Sequence, residues 1–295
     1  MKSLEACFEL GEVIAVVTQP DKPRGRGQEV SFSPVKEAAV QRGIPVLQPV
    51  KIRGTPFVEE LKALNADIAV VTAYGKILPQ DVLDAPRLGC VNVHASLLPR
   101  FRGAAPIQWA IAHGDEKTGV CLMKMDIGMD TGPVIARLDL TIAADETAAT
   151  LHDRLALLGG QVLHESLPAF LEGKLAPQQQ NDVGIVMAPM IKKEDGHLDF
   201  SLPAVAIERR MRAFTPWPGA FVNFGNGVLK MTGAKVAGGI GAPGVVLKAD
   251  AGGIEVACAQ GSLVFTNLQP EGKRSMTAVE FLNGRTVKVG ELPFT

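Results

Sequence analysis

The chain has 295 residues, of which 46% are hydrophobic and 21% are charged, and its formal net charge is −1. This length predicts two domains, because single hydrophobic cores stop growing at about 250 to 300 residues. A net charge so close to zero excludes a strong global attraction to nucleic acid, so any basic surface has to be local.

The cysteines and the hydropathy pattern limit the class of protein further. The four cysteines are far apart, which favours neither a zinc site nor a redox pair. Two of them lie inside apolar strand patterns and are interpreted as small core residues in a reducing compartment. No apolar run approaches the ~18 residues needed to span a membrane, and no segment resembles a signal peptide. We therefore expect a cytoplasmic protein with no membrane partner and no metal.

Buried strands and helices alternate along the first part of the chain, after an amphipathic helix that ends at Gly11. The predicted strands are 13–17, 44–47, 68–72, 90–94, 119–125 and 133–140, and the predicted helices are 34–42, 56–64, 80–83, 106–113 and 147–171. This alternation predicts an α/β fold with a Rossmann-like, doubly wound, mostly parallel sheet over residues 1–173.

The composition changes after Gly173. Residues 174–193 begin with a polar tract and are predicted to be a linker. Residues 194–295 contain short strands separated by glycines, which favours a small antiparallel barrel or sandwich. The chain thus predicts two domains of different type.

Residues 18–28 form a predicted loop in which helix-breaking residues alternate with positive charges. Lys22, Arg24 and Arg26 could bind phosphates, and a solvated basic loop is the alternative that their spacing leaves open.

The predicted strand at 90–94 carries the side chains best suited to chemistry. Asn92 and His94 are two residues apart, so they should point to the same face of the strand. Either residue alone is more often a hydrogen-bonded structural residue. Their position at a carboxyl end, just before a loop rich in Pro, Arg and Gly, favours a ligand site.

Two aspartates lie in the glycine-bounded loop at 126–132, between the next two predicted strands. Asp126 or Asp130 could reach His94, keep it protonated or fix its tautomer, while Asn92 could donate a hydrogen bond to an oxyanion. No Ser, Cys or Thr stands in a nucleophile elbow, so direct acyl transfer is favoured over a covalent intermediate.

Several motifs together resemble the formyltransferase family that uses 10-formyltetrahydrofolate. They are NVHASLLP (92–99), RGAAPI (102–107), GVCLMKMDIGMDTG (119–132), AYGKILP (73–79), FTPWP (214–218) and the loop 18–27. The resemblance covers nearly the whole chain and is greatest to the members that act on methionyl-tRNA. It implies a catalytic domain at 1–173 and an OB-like, tRNA-binding β-barrel at 194–295.

The resemblance also implies roles for single residues. Asn92, His94 and Asp130 fall on the catalytic trio of the family. The folate co-substrate would be bound by Tyr74, Gly75, Ile77, Leu78, Ser96, Leu97, Leu98, Pro99 and Asp126. The initiator methionyl-tRNA would be bound through Lys22, Arg24, Arg26, Lys273 and Arg274. The protein is expected to be a monomer.

Family members begin with a strand and a Gly-Thr-Pro turn, and this sequence has neither before its first helix. We therefore expect the first strand, which belongs in the middle of the sheet, to be missing, with a start codon placed too late as the favoured cause.

Three alternatives remain open from the sequence. One is a folate-dependent formyltransferase that acts on a sugar-nucleotide amine, a small substrate that needs neither the basic loop nor the second domain. The others are an RNA-binding protein without catalysis and an inactive folate-binding fragment.

Overall fold

A computed structural model describes residues 1–21, 23–24, 29–30, 32–54 and 56–294 of the chain. The chain divides into two compact units. Unit 1 contains Met1–Pro106, Lys117–Thr141 and His152–Ala188, and unit 2 contains Ile107–Glu116, Ile142–Leu151 and Pro189–Thr295.

Unit 1 alternates helices and strands, as the apolar periodicity predicts. Its helices are α1 (Lys2–Leu10), α2 (Pro34–Gln41), α3 (Pro56–Ala63), α4 (Gln80–Leu83) and the larger part of α6 (Ala148–Leu171). Its strands are β1 (Val16–Val17), β2 (Pro23–Arg24), β3 (Glu29–Val30), β4 (Val46–Leu47), β5 (Ala69–Val71), β6 (Cys90–His94), β7 (Arg100–Gly103), β8 (Lys117–Lys124), β9 (Val134–Thr141) and β10 (Val186–Ala188).

The largest sheet of unit 1 has the order β5-β6-β8-β9, with β5 parallel to β6 and the other two pairs antiparallel. β1 pairs with β4 and β7 with β10, both in parallel. The predicted α/β class with parallel strands is confirmed, but within the described residues the strands form separate sheets rather than one. β8 and β9 are antiparallel because the connection between them is too short for a parallel crossover.

Helix α6 is continuous across the glycine pair at its centre. A Cβ atom on Gly159 would lie 3.0 Å from a methyl group of Val93 in β6. The glycine therefore lets the helix lie close against the strand that carries Asn92 and His94. Although α6 has 24 residues, the described residues include no helix apolar enough, over sufficient length, to cross a membrane.

Unit 2 consists mostly of antiparallel strands with helices packed against them. Its helices are most of α5 (Pro106–His113), a 3₁₀ helix (Lys193–Gly196), α7 (Ala204–Ala213) and α8 (Ala278–Gly284), and its strands are β11 (Phe221–Phe224), β12 (Gly227–Ala237), β13 (Val246–Asp250), β14 (Gly253–Ala257), β15 (Ser262–Pro270) and β16 (Met276–Thr277).

The strands of unit 2 form one sheet of order β11-β12-β15-β14-β13, with β16 paired to β15. The predicted small antiparallel fold is confirmed, but no ladder closes the sheet into a barrel within the described residues. The terminal segment occupies both open edges instead. Val246 of β13 exchanges hydrogen bonds with Gly290 and Glu291, and Phe294 forms a bridge with Phe224 of β11.

Candidate active site

Strand β6 lies inside the four-stranded sheet and directs two polar side chains toward the loop between β8 and β9. The amide Nδ2 of Asn92 donates to Oδ1 of Asp130 at 3.3 Å, and Nδ1 of His94 lies 3.6 Å from the same oxygen. The prediction that Asn92 and His94 share one face is confirmed, because both meet one carboxylate. The sheet thus brings the predicted trio together from positions 38 residues apart in the sequence.

A backbone carbonyl fixes the tautomer of His94. Nε2 of the buried imidazole lies 3.0 Å from the carbonyl oxygen of Phe101 in β7. A carbonyl oxygen only accepts, so Nε2 carries a proton and donates it. The Phe101 carbonyl therefore sets the tautomer, a role that the sequence interpretation gave to an aspartate, and it leaves Nδ1 facing Asp130.

The two aspartates of the β8–β9 loop have different roles in the structure. The Asp130 side chain is only 15% exposed, and its Oδ2 accepts a hydrogen bond from the backbone N–H of Gly103 at 2.8 Å. Asp126 is exposed, and its Oδ1 accepts from the N–H of Gly128 at 3.0 Å and from the hydroxyl of Thr131 at 2.7 Å. Asp130 faces the site, whereas Asp126 shapes the turn.

A small apolar cluster of Leu98, Cys121, Met123 and Val134 lies beside the polar pair. Cys121 stands directly opposite His94 in the β6–β8 ladder, and Met123 stands opposite Asn92. Burial raises the pKa of the Cys121 thiol, which stays protonated at neutral pH and is a poor nucleophile. This cluster keeps water from one side of the site and offers no attacking group.

The loop that contains Tyr74, Gly75, Ile77 and Leu78 follows β5, whose last residue, Val71, pairs with Asn92. Its members therefore start from the same carboxyl-terminal edge as the trio. Ile77 is exposed and Leu78 is buried. The Tyr74 hydroxyl oxygen is buried without a hydrogen-bond partner among the described residues, and burial raises the pKa of Tyr74. A buried unpaired hydroxyl is a candidate for a ligand contact.

The four residues 96–99, which follow β6 closely in the chain, are packed against the protein to different degrees. Ser96 is fully buried and donates from its hydroxyl to the carbonyl of Arg100 at 2.6 Å. Leu97 lies against Gly119, where an added Cβ would be 2.6 Å from its methyl group. Leu98 belongs to the apolar cluster, and a cis peptide joins it to Pro99. The Pro99 ring is half-buried.

The structure informs only some of the predicted tRNA contacts. Lys22 and Arg26 lie outside the described residues, and Arg24 is described only as part of strand β2. Lys273 and Arg274 follow β15 in unit 2 and are exposed. Arg274 also donates to Glu280 at 2.8 Å.

Sequence reasoning missed two side chains near the site, Gln180, which contacts the β8–β9 loop, and Arg102, which contacts Gln180. Arg102 is buried and donates to the Gln180 side chain, which in turn donates to the carbonyls of Asp130 and Gly132. Arg102 stands in the motif at 102–107, but the resemblance gave it no role. Gln180 lies in the tract interpreted as a linker, and only its closeness to the strand-forming run 185–188 could have drawn attention to it. No group of three His, Cys, Asp or Glu side chains in the described ranges could hold a metal ion.

Comparison with known proteins decides the family. The sequence model of the formyl transferase family matches residues 3–167, and the family model of the formyl transferase C-terminal domain matches residues 190–286. The chain belongs to the formyl transferase family. The resemblance seen in the motifs is thereby confirmed, and the protein is a formyl transferase enzyme.

This formyl transferase is similar over its whole length to named relatives. It is 61% identical over 294 residues to methionyl-tRNA formyltransferase of Myxococcus xanthus, across 100% of this chain and 94% of the relative. It is 50% identical over 291 residues to the protein of the same name from Citrifermentans bemidjiense, across 98% of this chain and 92% of the relative.

Its fold resembles that of an N-formyltransferase from Helicobacter canadensis, solved in complex with folinic acid and dTDP-3-aminofucose. The TM-score is 0.68 at 16% sequence identity, across 91% of this chain and 94% of that chain. At this identity the likeness concerns the fold alone.

Proposed function

We propose that this formyl transferase moves the formyl group of 10-formyltetrahydrofolate to the free α-amino group of methionine esterified to initiator tRNA. The products are N-formylmethionyl-tRNA, used to start translation, and tetrahydrofolate. The observation that carries the proposal is the convergence of Asn92 and His94 on Asp130, in a chain 61% identical to a methionyl-tRNA formyltransferase over its full length.

Asn92 and His94 stabilise the negative charge that develops on the formyl oxygen. The Asn92 amide has two hydrogens and gives one to Asp130, so the second is available to the oxygen. His94 turns Nδ1 toward the site because Nε2 keeps its proton on the Phe101 carbonyl, and His94 becomes a donor to the formyl oxygen once Nδ1 has taken a proton from the attacking amine. Donors fixed in this way are typically worth about 3 to 4 kcal/mol each.

Asp130 positions both donors and helps to remove the proton of the attacking amine. Its Oδ1 faces Asn92 and His94, while its Oδ2 is held by the Gly103 N–H. The buried Cys121 thiol is protonated, which favours direct attack of the amine over a covalent enzyme intermediate.

The folate supplies the activated formyl group and would be held along the loop of Tyr74, Gly75, Ile77 and Leu78. The unpaired Tyr74 hydroxyl and the exposed Ile77 side chain suit a polar and aromatic ligand. Ser96, Leu97, Leu98 and Pro99 would shape the neighbouring wall, and Asp126 would complete it from the β8–β9 loop.

The tRNA would be bound through local basic groups, which reconciles an RNA substrate with a net charge of −1. We assign this role to Lys22, Arg24 and Arg26 in the catalytic domain (1–173), and to Lys273 and Arg274 in the tRNA-binding domain (194–295). The protein would act in the cytoplasm as a monomer.

The decisive experiment measures formylation of methionyl-tRNA with 10-formyltetrahydrofolate by wild type, His94→Ala and Asp130→Ala. We expect both variants to lose roughly a hundredfold or more in kcat, because each removes part of the oxyanion-stabilising arrangement.

Asp139→Ala is the matched control, because Asp139 lies exposed on the neighbouring strand β9 and pairs with Lys117. It should keep wild-type activity. Unchanged rates in both site variants would refute the roles. Activity with a sugar-nucleotide amine in place of methionyl-tRNA would favour the other substrate class.

A further inference from the structure

We propose that Gln180 is a positioning residue, whose side-chain amide holds the β8–β9 loop so that the Asp130 carboxylate faces Asn92 and His94. The inference deepens the proposed function and rests on it, because it concerns the same site. Gln180 does not need to touch the reacting atoms to matter.

Both hydrogens of the Gln180 amide are used on the loop. Nε2 donates to the carbonyl of Asp130 at 2.8 Å and to the carbonyl of Gly132 at 2.8 Å. These two carbonyls lie on either side of Thr131. The amide therefore fixes the backbone of the loop at Asp130 and at the two residues that follow it.

The other end of the Gln180 side chain is fixed by a buried cation. Nε and Nη2 of Arg102 both donate to Oε1 of Gln180, at 3.0 and 2.8 Å. A guanidinium has donors only, so the amide oxygen has to face Arg102 and the amide nitrogen has to face the loop. Arg102 therefore sets the orientation of Gln180.

These contacts close a ring around Asp130. Gly103, the residue after Arg102, donates its N–H to Oδ2 of Asp130 at 2.8 Å. Asp130 is thus held at its carbonyl by Gln180 and at its carboxylate by Gly103, and Arg102 joins the two. The backbone near Gln180 is itself anchored, because Gln178 exchanges hydrogen bonds of 2.8 Å with Val134 of β9.

The backbone of Asp130 explains why such a hold is needed. Its φ is +55°, in the left-handed region that residues other than glycine rarely adopt. Such a conformation persists only where the surrounding structure fixes it. Without the two hydrogen bonds from Gln180, the loop would relax and the carboxylate would leave its position beside Asn92 and His94.

The test compares Gln180→Leu and Gln180→Glu with Gln179→Leu. A shift of about 1 Å in a catalytic group can cost roughly a hundredfold, so we expect a 10- to 100-fold loss of kcat in both Gln180 variants with unchanged KM for both substrates. The carboxylate introduced by Gln180→Glu would keep an oxygen for Arg102 but could not donate to the carbonyls. Gln179 is an exposed neighbour of the same type, and its variant should match wild type.

A double variant separates positioning from general destabilisation. If Gln180 acts through Asp130, Asp130→Ala with Gln180→Leu should be as slow as Asp130→Ala alone. Additive losses, full rescue by Gln180→Glu, or a raised KM with normal kcat would overturn the inference. If Gln180→Leu does not fold, Gln180→Glu takes its place, both as the single variant and in the double variant that is compared with Asp130→Ala. A wild type that does not formylate methionyl-tRNA would refute the proposed function instead.

Discussion

The main sheets of the two units differ in what their inner strands carry. In unit 1, β6 presents Asn92 and His94 toward a loop carboxylate. In unit 2, the inner strands β14 and β15 direct fully buried apolar residues into the core, among them Ile254, Leu263 and Phe265. The sheet of unit 1 therefore contains groups that packing does not require, and the sheet of unit 2 is built chiefly for stability.

Buried polar groups are not confined to unit 1, and their partners show the difference. The hydroxyl of Ser262 in β15 donates to Glu255 at 2.6 Å and accepts from the N–H of Gly239 at 2.8 Å. These contacts satisfy Ser262 inside the fold. Asn92 and Nδ1 of His94, by contrast, converge on Asp130 at 3.3 and 3.6 Å, which leaves hydrogen-bonding capacity for a substrate.

The largest expected effect is on the stability of unit 2. Phe265→Ala should lower the free energy of unfolding by about 3 to 5 kcal/mol, because it removes a fully buried ring that packs edge-to-face on Phe200. Urea unfolding would measure this free energy, and Phe265→Leu, which keeps an apolar side chain, should lower it less. At a temperature where the variant is folded, kcat should be near wild type. A large loss of kcat there would mean that the sheet of unit 2 also serves the chemistry.

The converse prediction concerns a pair of strand asparagines. Asn92→Ala in β6 should lower kcat by about 100- to 1,000-fold, because it removes the side chain that we propose as a donor to the formyl oxygen. Asn267→Ala in β15 is the matched control. Its Oδ1 accepts from the hydroxyl of Thr266 at 3.1 Å, so the change should affect stability and leave kcat intact. Equal effects on kcat would remove the distinction between the two sheets.

The sequence predicts the parts of the site that depend on local regularity. Alternation along β6 is enough to place Asn92 and His94 on one face, and the glycine-bounded loop identifies Asp126 and Asp130. Spacing alone cannot tell which of those aspartates faces His94, because that depends on the left-handed backbone conformation of Asp130, with φ +55°. The family resemblance made that choice, and the structure places Asp130 against His94.

Long-range pairings account for what the sequence did not predict. β7 lies in a stretch predicted as a loop, and it is a strand because it pairs with β10 more than 80 residues later, as in the Val186–Arg100 pair. Gln180 is polar and lies in a polar tract, so no periodicity marks it. The strands of unit 2 are predictable from their turns, but the edge contacts of Phe294 with Phe224 depend on tertiary packing.

The smallest expected effect is a pH dependence of stability at the start of helix α8 in unit 2. Glu280 accepts from the Thr277 N–H at 2.8 Å, and this contact, together with Arg274 and the Thr277 hydroxyl, lowers the pKa of the Glu280 carboxyl. A lowered pKa stabilises the fold above the pKa of the unfolded chain, and this contribution is lost as the pH falls through the lower, folded-state pKa.

Wild type should therefore have a higher Tm than Glu280→Gln at pH 7, and the difference should shrink toward zero as the pH falls below the usual range of glutamate titration. Added salt should also reduce it, because the Arg274 contact is exposed. Thermal unfolding of both proteins across this range provides the measurement, and kcat at pH 7 should be the same for both. A Tm difference that persists in acid would show that packing, rather than charge, holds this helix terminus.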